Sequence, residues 1–547
     1  MSAVVARRAG SRRPWRWLAL AALPAAFLAV FFVWPVAAIV ARGLSGGALA
    51  EVVTDDGLRA VAWFTLWQAA VSTVLTLLVA LPGAYVLARY DFAGRRLVRA
   101  LVTVPFVLPS VVVGAAFLGL LGRGGPLAGL GLDQSVGAVL IAHAFFNYAV
   151  VVRTVGGLWA HLDPALDDAA RVLGASRWRT FRHVTLPLLR PAIAAAGAIV
   201  FLFCFTSFGV VLVLGGPTRA TLEVEVYRQT AQLLDLPTAA ALTVIQLVAV
   251  VALVAVHARA SRRRAVSLRR RSAAEVLVRP SGRQRVLLVA NLVVMTVLLG
   301  VPVASLVERS FATAGGGYGL GSWRALSTNP RGSTLFVAPL EALANSLVAA
   351  VGATAVALVV GGLASLAVAR HTSLAARGFD VLLMLPLGTS AVTVGFGFLI
   401  ALDRPPLDLR GSAWLVPIAQ ALVATPLVVR TLVPVLRSID HRLEEAAATL
   451  GAPPWRVLRE VELPLVGKAL LVGAGFAFAV SLGEFGATVF LARPDRPTLP
   501  VAIVRLLGQP GSTSLGQAMA MSTVLLVVTV VAMLAIEGRR AGGVSEL

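Results

Sequence analysis

Two polar stretches interrupt an otherwise apolar chain: LDDAARVLGASRWRTFRHVTLP at 166–187 and LEEAAATLGAPPWRVLREVELP at 443–464. In each, an acid (Asp168 or Glu445) precedes two alanines (Ala169-Ala170 or Ala446-Ala447). A glycine follows (Gly174 or Gly451), and a Leu-Pro pair (Leu186-Pro187 or Leu463-Pro464) closes the stretch. In the first copy Leu166, Ala169, Ala170 and Leu173 recur at helical spacing, and Asp167 and Asp168 favour the N-terminal end of a short helix. Gly174 supplies a flexible or left-handed stop. Trp178, Phe181 and Val184 then share one face of a second helical run, with Arg177, Arg179 and Arg182 left to solvent, until Leu186-Pro187 ends it. This spacing predicts a helix–glycine–helix hairpin lying along a membrane surface, and its chemistry is docking. A single copy reads equally as an amphipathic anchor; two copies argue for a pair of docking elements that meet a two-fold partner.

Bond-making chemistry finds little support. No catalytic residues are identified. The only lysine, Lys468, follows Gly467 but precedes Ala469, with Glu462 where a nucleotide-binding loop needs its first glycine. The six histidines show neither H-x3-H nor H-E-x-x-H spacing, so no metal site and no resident cofactor are expected. The lone Cys204 excludes an intramolecular disulfide and reads as a small buried hydrophobe. Polar residues within apolar runs are costly in lipid and invite a role. Glu484, in FAVSLGEFGATVF, is either a pore-lining carboxylate, or a helix-end residue at the external interface or one paired with an arginine, and its counterpart is Ser207. Ser207, Phe208 and Gly209, with Glu484, Phe485 and Gly486, are candidates for a pore or gate, the glycines allowing close approach or a kink. GFGF at 395–398 is expected to add a further flexible point. Gln68, Asn147, Asn345 and Gln420 read as hydrogen-bonding between helices, His143 as a satisfied packing residue, and Arg153 and Arg430 as membrane-surface anchors.

The elements that must position these residues are membrane spans. The chain has 547 residues, is 58% hydrophobic and 14% charged, and has a mean hydropathy of +0.86; a soluble domain is nearer a quarter charged. Spans of about 20 apolar residues are expected at 17–41, 61–88, 98–121, 136–158, 191–214 and 237–257. A second set falls at 286–306, 341–369, 379–402, 412–436, 469–491 and 513–536. The first follows a cluster of arginines but is long for a signal peptide and lacks a clear cleavage site, so it reads as retained. The net charge of +22 is spread over short basic blocks in every second loop (89–99, 159–190, 259–285, 370–377, 437–468 and the tail with Arg539 and Arg540). That pattern places those loops and both termini in the cytoplasm and speaks against nucleic acid as partner. The basic segment 259–285 reads as a solvated connector against anionic headgroups. Segments 215–236 and 307–340, on the other side, are expected to form short helices.

The chain repeats itself. Gly174 and Gly451 lie 277 positions apart (451 − 174), and the same offset carries Arg153 onto Arg430, Asp163 onto Asp440 and Trp178 onto Trp455. It continues through Phe208-Gly209 to Phe485-Gly486, Thr221-Leu222 to Thr498-Leu499, and Arg228 to Arg505. An even number of spans in each copy makes the repeats parallel. The expected fold is an all-α polytopic membrane protein of about twelve transmembrane helices in two parallel six-helix repeats, each with a cytoplasmic hairpin. The first half is 1–258 with its loop at 159–190, the linker is 259–285, and the second half is 286–547 with its loop at 437–468.

At Asp168-Ala169-Ala170, Gly174, Val184 and Leu186-Pro187, and again at Glu445-Ala446-Ala447, Gly451, Val461 and Leu463-Pro464, the sequence resembles the EAA signature of binding-protein-dependent ABC importer permeases. Asp replaces Glu in the first copy and Val replaces Ile in both; neither change removes charge or apolar character. The copies also differ after the glycine, where Ala175-Ser176 is set against Pro453-Pro454. The resemblance spans nearly the whole chain, and the fused arrangement is similar to the thiamine and ferric-iron permeases of that family, as are the stretches 204–229 and 481–508. The Thr-Leu-Glu and Thr-Leu-Pro segments lean to the thiamine type over ferric iron. The resemblance implies a coupling helix in each hairpin, two ABC ATPase subunits (a homodimer) on the cytoplasmic side, an external substrate-binding protein, and alternating access in a bacterial cell membrane. It also implies that hydrolysis belongs to the partner and that this chain is a transport subunit. An ion-coupled carrier of two six-helix halves and a non-transporting receptor component are the alternatives; the doubled hairpin and the scarcity of buried charges favour the importer.

Overall fold

The computed structural model describes residues 14–262, 277–313, 317–327, 337–371, 373–403, 405 and 407–540. Among them the regular structure is helical, with isolated bridges in place of strands. Lipid offers no partner to a free N–H or C=O, so an apolar chain must bond within each helix. Ten described helices are long and apolar enough to cross a membrane: Ala19–Leu44, Asp56–Arg89, Val136–Trp159, Arg177–Phe205, Leu236–Arg259, Arg283–Phe311, Pro339–Arg370, Leu415–Ser438, Trp455–Gly483 and Ser512–Leu534. Two bent pairs bring the number to twelve if each counts as one span: Arg95–Val107 with Ser110–Leu121, at 102°, and Leu374–Gly388 with Ala391–Ala401, at 98°.

These bends correct the straight spans expected at 98–121 and 379–402. Pro109 drives Leu108 into an extended conformation (φ −64°, ψ 138°). In the other pair Thr389 and Ser390 are extended, and the Ser390 hydroxyl caps the next helix by accepting from Val392 N–H at 3.0 Å. GFGF at 395–398 is no flexible point, because it lies inside the Ala391–Ala401 helix with Phe396 and Phe398 fully buried. The expected spans 191–214 and 469–491 also end early, at Phe205 and Gly483, and resume as the short helices Gly209–Leu214 and Thr488–Leu491. Of the short helices expected on the opposite side, Leu222–Ala231 and Gly321–Arg324 form, while 328–336 lie outside the described residues.

The chain divides into two compact units that cut across the repeats. One takes Met1–Ala38, Leu347–Leu482 and Ala532–Leu547; the other takes Ile39–Ser346 and Gly483–Val531. In the larger unit Asp56–Arg89, Val136–Trp159 and Leu186–Phe205 pack on one another. Small residues set their separation: a Cβ on Gly156 would lie 3.3 Å from Ala84 O. In the smaller unit a Cβ on Gly361 would lie 2.9 Å from Val428 Cγ1, and Phe31 meets Phe398 with centroids 6.0 Å apart.

The basic linker is not wholly a solvated connector. Its residues 263–276 lie outside the described residues, but Val278 donates to Arg89 O at 2.9 Å and accepts from Asp91 N–H at 3.0 Å. The end of the Asp56–Arg89 helix has carbonyls without intrahelical partners, and the linker satisfies one of them.

Candidate functional site

The first polar stretch folds as two legs joined at Gly174. Asp163 opens the first leg, Pro164–Val172, by accepting from Ala165 N–H at 3.0 Å. Gly174 closes it at φ +82°, with Gly174 N–H bonded to Arg171 O (2.9 Å) and Ala175 N–H to Ala170 O (3.0 Å). This pair of bonds around a left-handed residue is the Schellman stop, and it explains the spacing of the motif. The second alanine supplies the carbonyl that the residue after the glycine must reach. The second stretch repeats the geometry: Asp440 caps His441–Thr449, Gly451 sits at φ +80°, Gly451 N–H meets Ala448 O (3.0 Å), and Ala452 N–H meets Ala447 O (3.0 Å).

The second leg differs from the expectation that Leu186-Pro187 ends it. Helix runs from Arg177 through to Phe205. Just before the proline the turn widens over Phe181–Thr185, so Leu186 N–H bonds five residues back to Phe181 O. Pro187, having no N–H, follows without breaking the helix. Leu458–Glu462 widens identically before Leu463-Pro464, with Leu463 N–H on Leu458 O. The unlike residues after the glycine also pair one position away from the expectation: at the constant offset Ser176 corresponds to Pro453 and Arg177 to Pro454. Ser176 caps its helix by accepting from Arg179 N–H at 3.3 Å, whereas Pro453 lends its carbonyl to Arg456 and Val457 N–H, and Pro454 starts the helix with its φ already set.

Both hairpin tips expose apolar side chains. Val172 and Leu173 are each 88% exposed and Leu450 is 89% exposed, with Trp178 and Trp455 also largely exposed. Leu173 and Leu450 are counterparts at the repeat offset. Asp168 also faces outward, 3.9 Å from Arg171 on the same surface, and Glu445 is exposed. Matching exposed apolar tips rimmed by charge are the signature of a contact surface.

The second group of candidate residues lies where the Phe205 and Gly483 helices break. Phe208 and Phe485, counterparts in the repeat, stack with centroids 5.1 Å apart and planes at 13°. Tyr227 is edge-on to Phe208 (5.6 Å) and to Phe490 (5.7 Å). Beside this stack Glu484 turns inward to its own chain: its carboxylate accepts Ala487 N–H (2.7 Å) and Thr488 N–H (3.0 Å), capping the short helix that follows. Ser207 joins a buried chain, Ser207 to His143 Nε2 (2.8 Å) and His143 Nδ1 to Ser72 (3.0 Å), while Thr221 donates to Ser207 O (2.8 Å). Gly209 meets Ser110 so closely that a Cβ there would lie 3.2 Å from Ser110 Cβ and 3.3 Å from Val111 N. Gln68 donates to Cys204 O at 2.8 Å, Asn147 to His143 O at 3.0 Å and Asn345 to Pro497 O at 3.3 Å.

The repeat also holds where the 277 offset misses it. Thr65 Oγ1 accepts from Leu222 N–H at 2.9 Å and Ser346 Oγ accepts from Leu499 N–H at 2.7 Å. Those hydroxyls are 281 residues apart (346 − 65), one helical turn more than the rest of the repeat. A four-residue slip between the copies hides the match from a single-offset comparison.

Comparison with known proteins agrees with this doubled architecture. The family described as "Binding-protein-dependent transport system inner membrane component" matches twice, over residues 80–266 and 357–540. A relative from Sinorhizobium fredii, a probable ABC transporter permease protein y4fN, is 28% identical over 522 residues, 90% of each chain. The thiamine transport system permease protein ThiP of Brucella abortus is 27% identical over 526 residues, 93% of each chain. That of Escherichia coli is 28% identical over 466 residues, 83% of this chain and 84% of the relative. With the domain present in both repeats, the chain belongs to the binding-protein-dependent transport system inner membrane component family, as a multi-pass permease with its two halves fused.

Proposed function

We propose that this chain is the transmembrane permease subunit of an ATP-driven importer, moving thiamine or its phosphates into the cytoplasm by alternating access. Its halves are 1–258 and 286–547, joined by 259–285, with both termini cytoplasmic, a placement supported by the distribution of arginine in alternate loops. Each hairpin is a coupling helix that seats in one subunit of an ATPase pair, and an external binding protein delivers the solute. The observation that carries this reading is the pair of matching exposed apolar tips, Leu173 and Leu450, at the same place in two repeats. A partner with two equivalent clefts answers that arrangement; an ion-coupled carrier has no use for it. The names of the full-length relatives support thiamine over ferric iron.

A homodimeric ATPase would have to accept unlike copies, one with Asp168 and Ser176, the other with Glu445 and Pro453. The Phe208–Phe485 stack is the gate that must part for solute to pass. The test is reconstitution of the chain with an ABC ATPase and a binding protein from its host, followed by uptake of labelled thiamine or ferric citrate. ATP-dependent thiamine uptake is expected. Failure of the chain to retain any ATPase on purification would overturn the importer reading, and uptake of ferric citrate alone would overturn the choice of solute.

A further inference from the structure

Asp167 and Asp168 are neighbours in sequence but, on a helix, point about 100° apart. Asp168 faces outward. Asp167 turns to the core: one carboxylate oxygen accepts the Thr185 hydroxyl at 2.9 Å, and the other lies 3.9 Å from the guanidinium of Arg89. Arg89 is the last residue of the Asp56–Arg89 helix, its side chain is only 11% exposed, and it donates to Leu162 O at 3.4 Å. The first leg, the return leg and the end of a core helix therefore meet at one ionic contact.

The second repeat builds the same junction from other residues. Arg370 ends the Pro339–Arg370 helix and pairs with Glu462, which is 3% exposed. Glu462 corresponds at the 277 offset to Thr185, and both close the widened turn that precedes Leu-Pro. The arginine holds its place at the helix end while its carboxylate has moved from the first leg to the return leg.

Resting on the permease reading above, we propose that Arg89 with Asp167 and Thr185, and Arg370 with Glu462, are positioning residues that tie each coupling hairpin to the second spanning helix of its repeat, so that displacement of the hairpin is passed into the core. The ties are unequal. The first is backed by an aromatic ladder, Tyr90 to Tyr85 (5.5 Å), Tyr85 to Trp159 (5.1 Å), Trp159 to Phe181 (6.4 Å) and Phe181 to Trp178 (5.8 Å), and by the hydrogen bond from Val278 of the linker to Arg89 O. At the second, Leu436 and Leu458 stand where Trp159 and Phe181 do. Loss of the ion pair therefore weighs more heavily on the second hairpin.

The experiment compares Arg370→Gln, Glu462→Gln and Asp167→Asn with the parent in the full permease–ATPase complex in proteoliposomes, with uptake and ATP hydrolysis measured separately. Solute moved per ATP should fall about tenfold for Arg370→Gln and Glu462→Gln, and less for Asp167→Asn. Thr185→Glu, which installs the second repeat's solution in the first, should restore Asp167→Asn. Hydrogen exchange of residues 441–464, read on the permease alone, should rise about tenfold in Arg370→Gln. Unchanged exchange together with unchanged solute per ATP would overturn the tie, as would failure of Thr185→Glu to restore Asp167→Asn. If the parent itself lacked ATP-dependent uptake, the permease reading would fail, while the exchange measurement would still decide whether the ion pair holds the hairpin.

Discussion

Replacing Gly174 or Gly451 tests the hairpin geometry without disturbing its contacts. Both residues have φ near +80°, and a Cβ built on either meets nothing within 4 Å. Alanine therefore adds no clash, and its whole cost is that of holding an L-residue in the left-handed region, about 1–2 kcal/mol. That is roughly a 5–30-fold loss in the weight of the closed hairpin relative to opened alternatives. The hairpins share no residues, so the double alanine variant should lose about 2–4 kcal/mol. Asparagine tolerates this region far better and should lie between glycine and alanine, whereas valine, branched at Cβ, should be worst. The assay is ATP-dependent uptake by the reconstituted complex, with membrane yield and thermal melting of the permease as controls for folding. The expected order is glycine, asparagine, alanine, valine at both positions. Equal activity of glycine and valine, or asparagine falling below alanine, would refute the backbone explanation of the motif.

Leu173→Asp and Leu450→Asp should leave the permease in the membrane but reduce ATPase co-purification about tenfold or more, because each places a charge on an exposed apolar tip; unchanged co-purification would remove the tips from the interface. Phe485→Ala removes one ring of the Phe208–Phe485 stack and should let solute leak from loaded proteoliposomes without ATP; tight vesicles would show that the stack is not the barrier. Gly43→Val should lower the melting temperature in detergent by a few degrees, since its Cβ would sit 2.8 Å from Ala240 O and backbone cannot yield as a side chain does. Gly157→Val, the same substitution in the Val136–Trp159 helix with open space around it, serves as the matched control and should not lower the melting temperature.

Helix number and class were legible because apolar run length reports directly on the bilayer. Bends were not. Pro109 forces one, but Thr389-Ser390 carries no proline, and its extended geometry is stabilised by a cap that only the folded chain reveals. Leu186-Pro187 read as a terminator because proline interrupts an ordinary helix; the widened turn over Phe181–Thr185 removes the bond that the proline would have broken. Glu484 stayed ambiguous in sequence because a buried carboxylate can face a pore or cap a helix, and its two backbone partners lie three and four residues onward.

The repeated motif, its glycine stop and the doubling of the family domain were determined by sequence alone, because a left-handed turn and a Schellman bond pattern depend on residues within one short stretch. What tertiary structure decided was which side chains answer one another over long separations. Arg89 meets Asp167 while Arg370 meets Glu462, and Phe208 finds Phe485. A four-residue slip between the copies, and the exchange of a carboxylate from one leg to the other, preserve these junctions in space while erasing their likeness along the chain. Packing constrains where a charge or ring must be, and several positions in sequence can put it there.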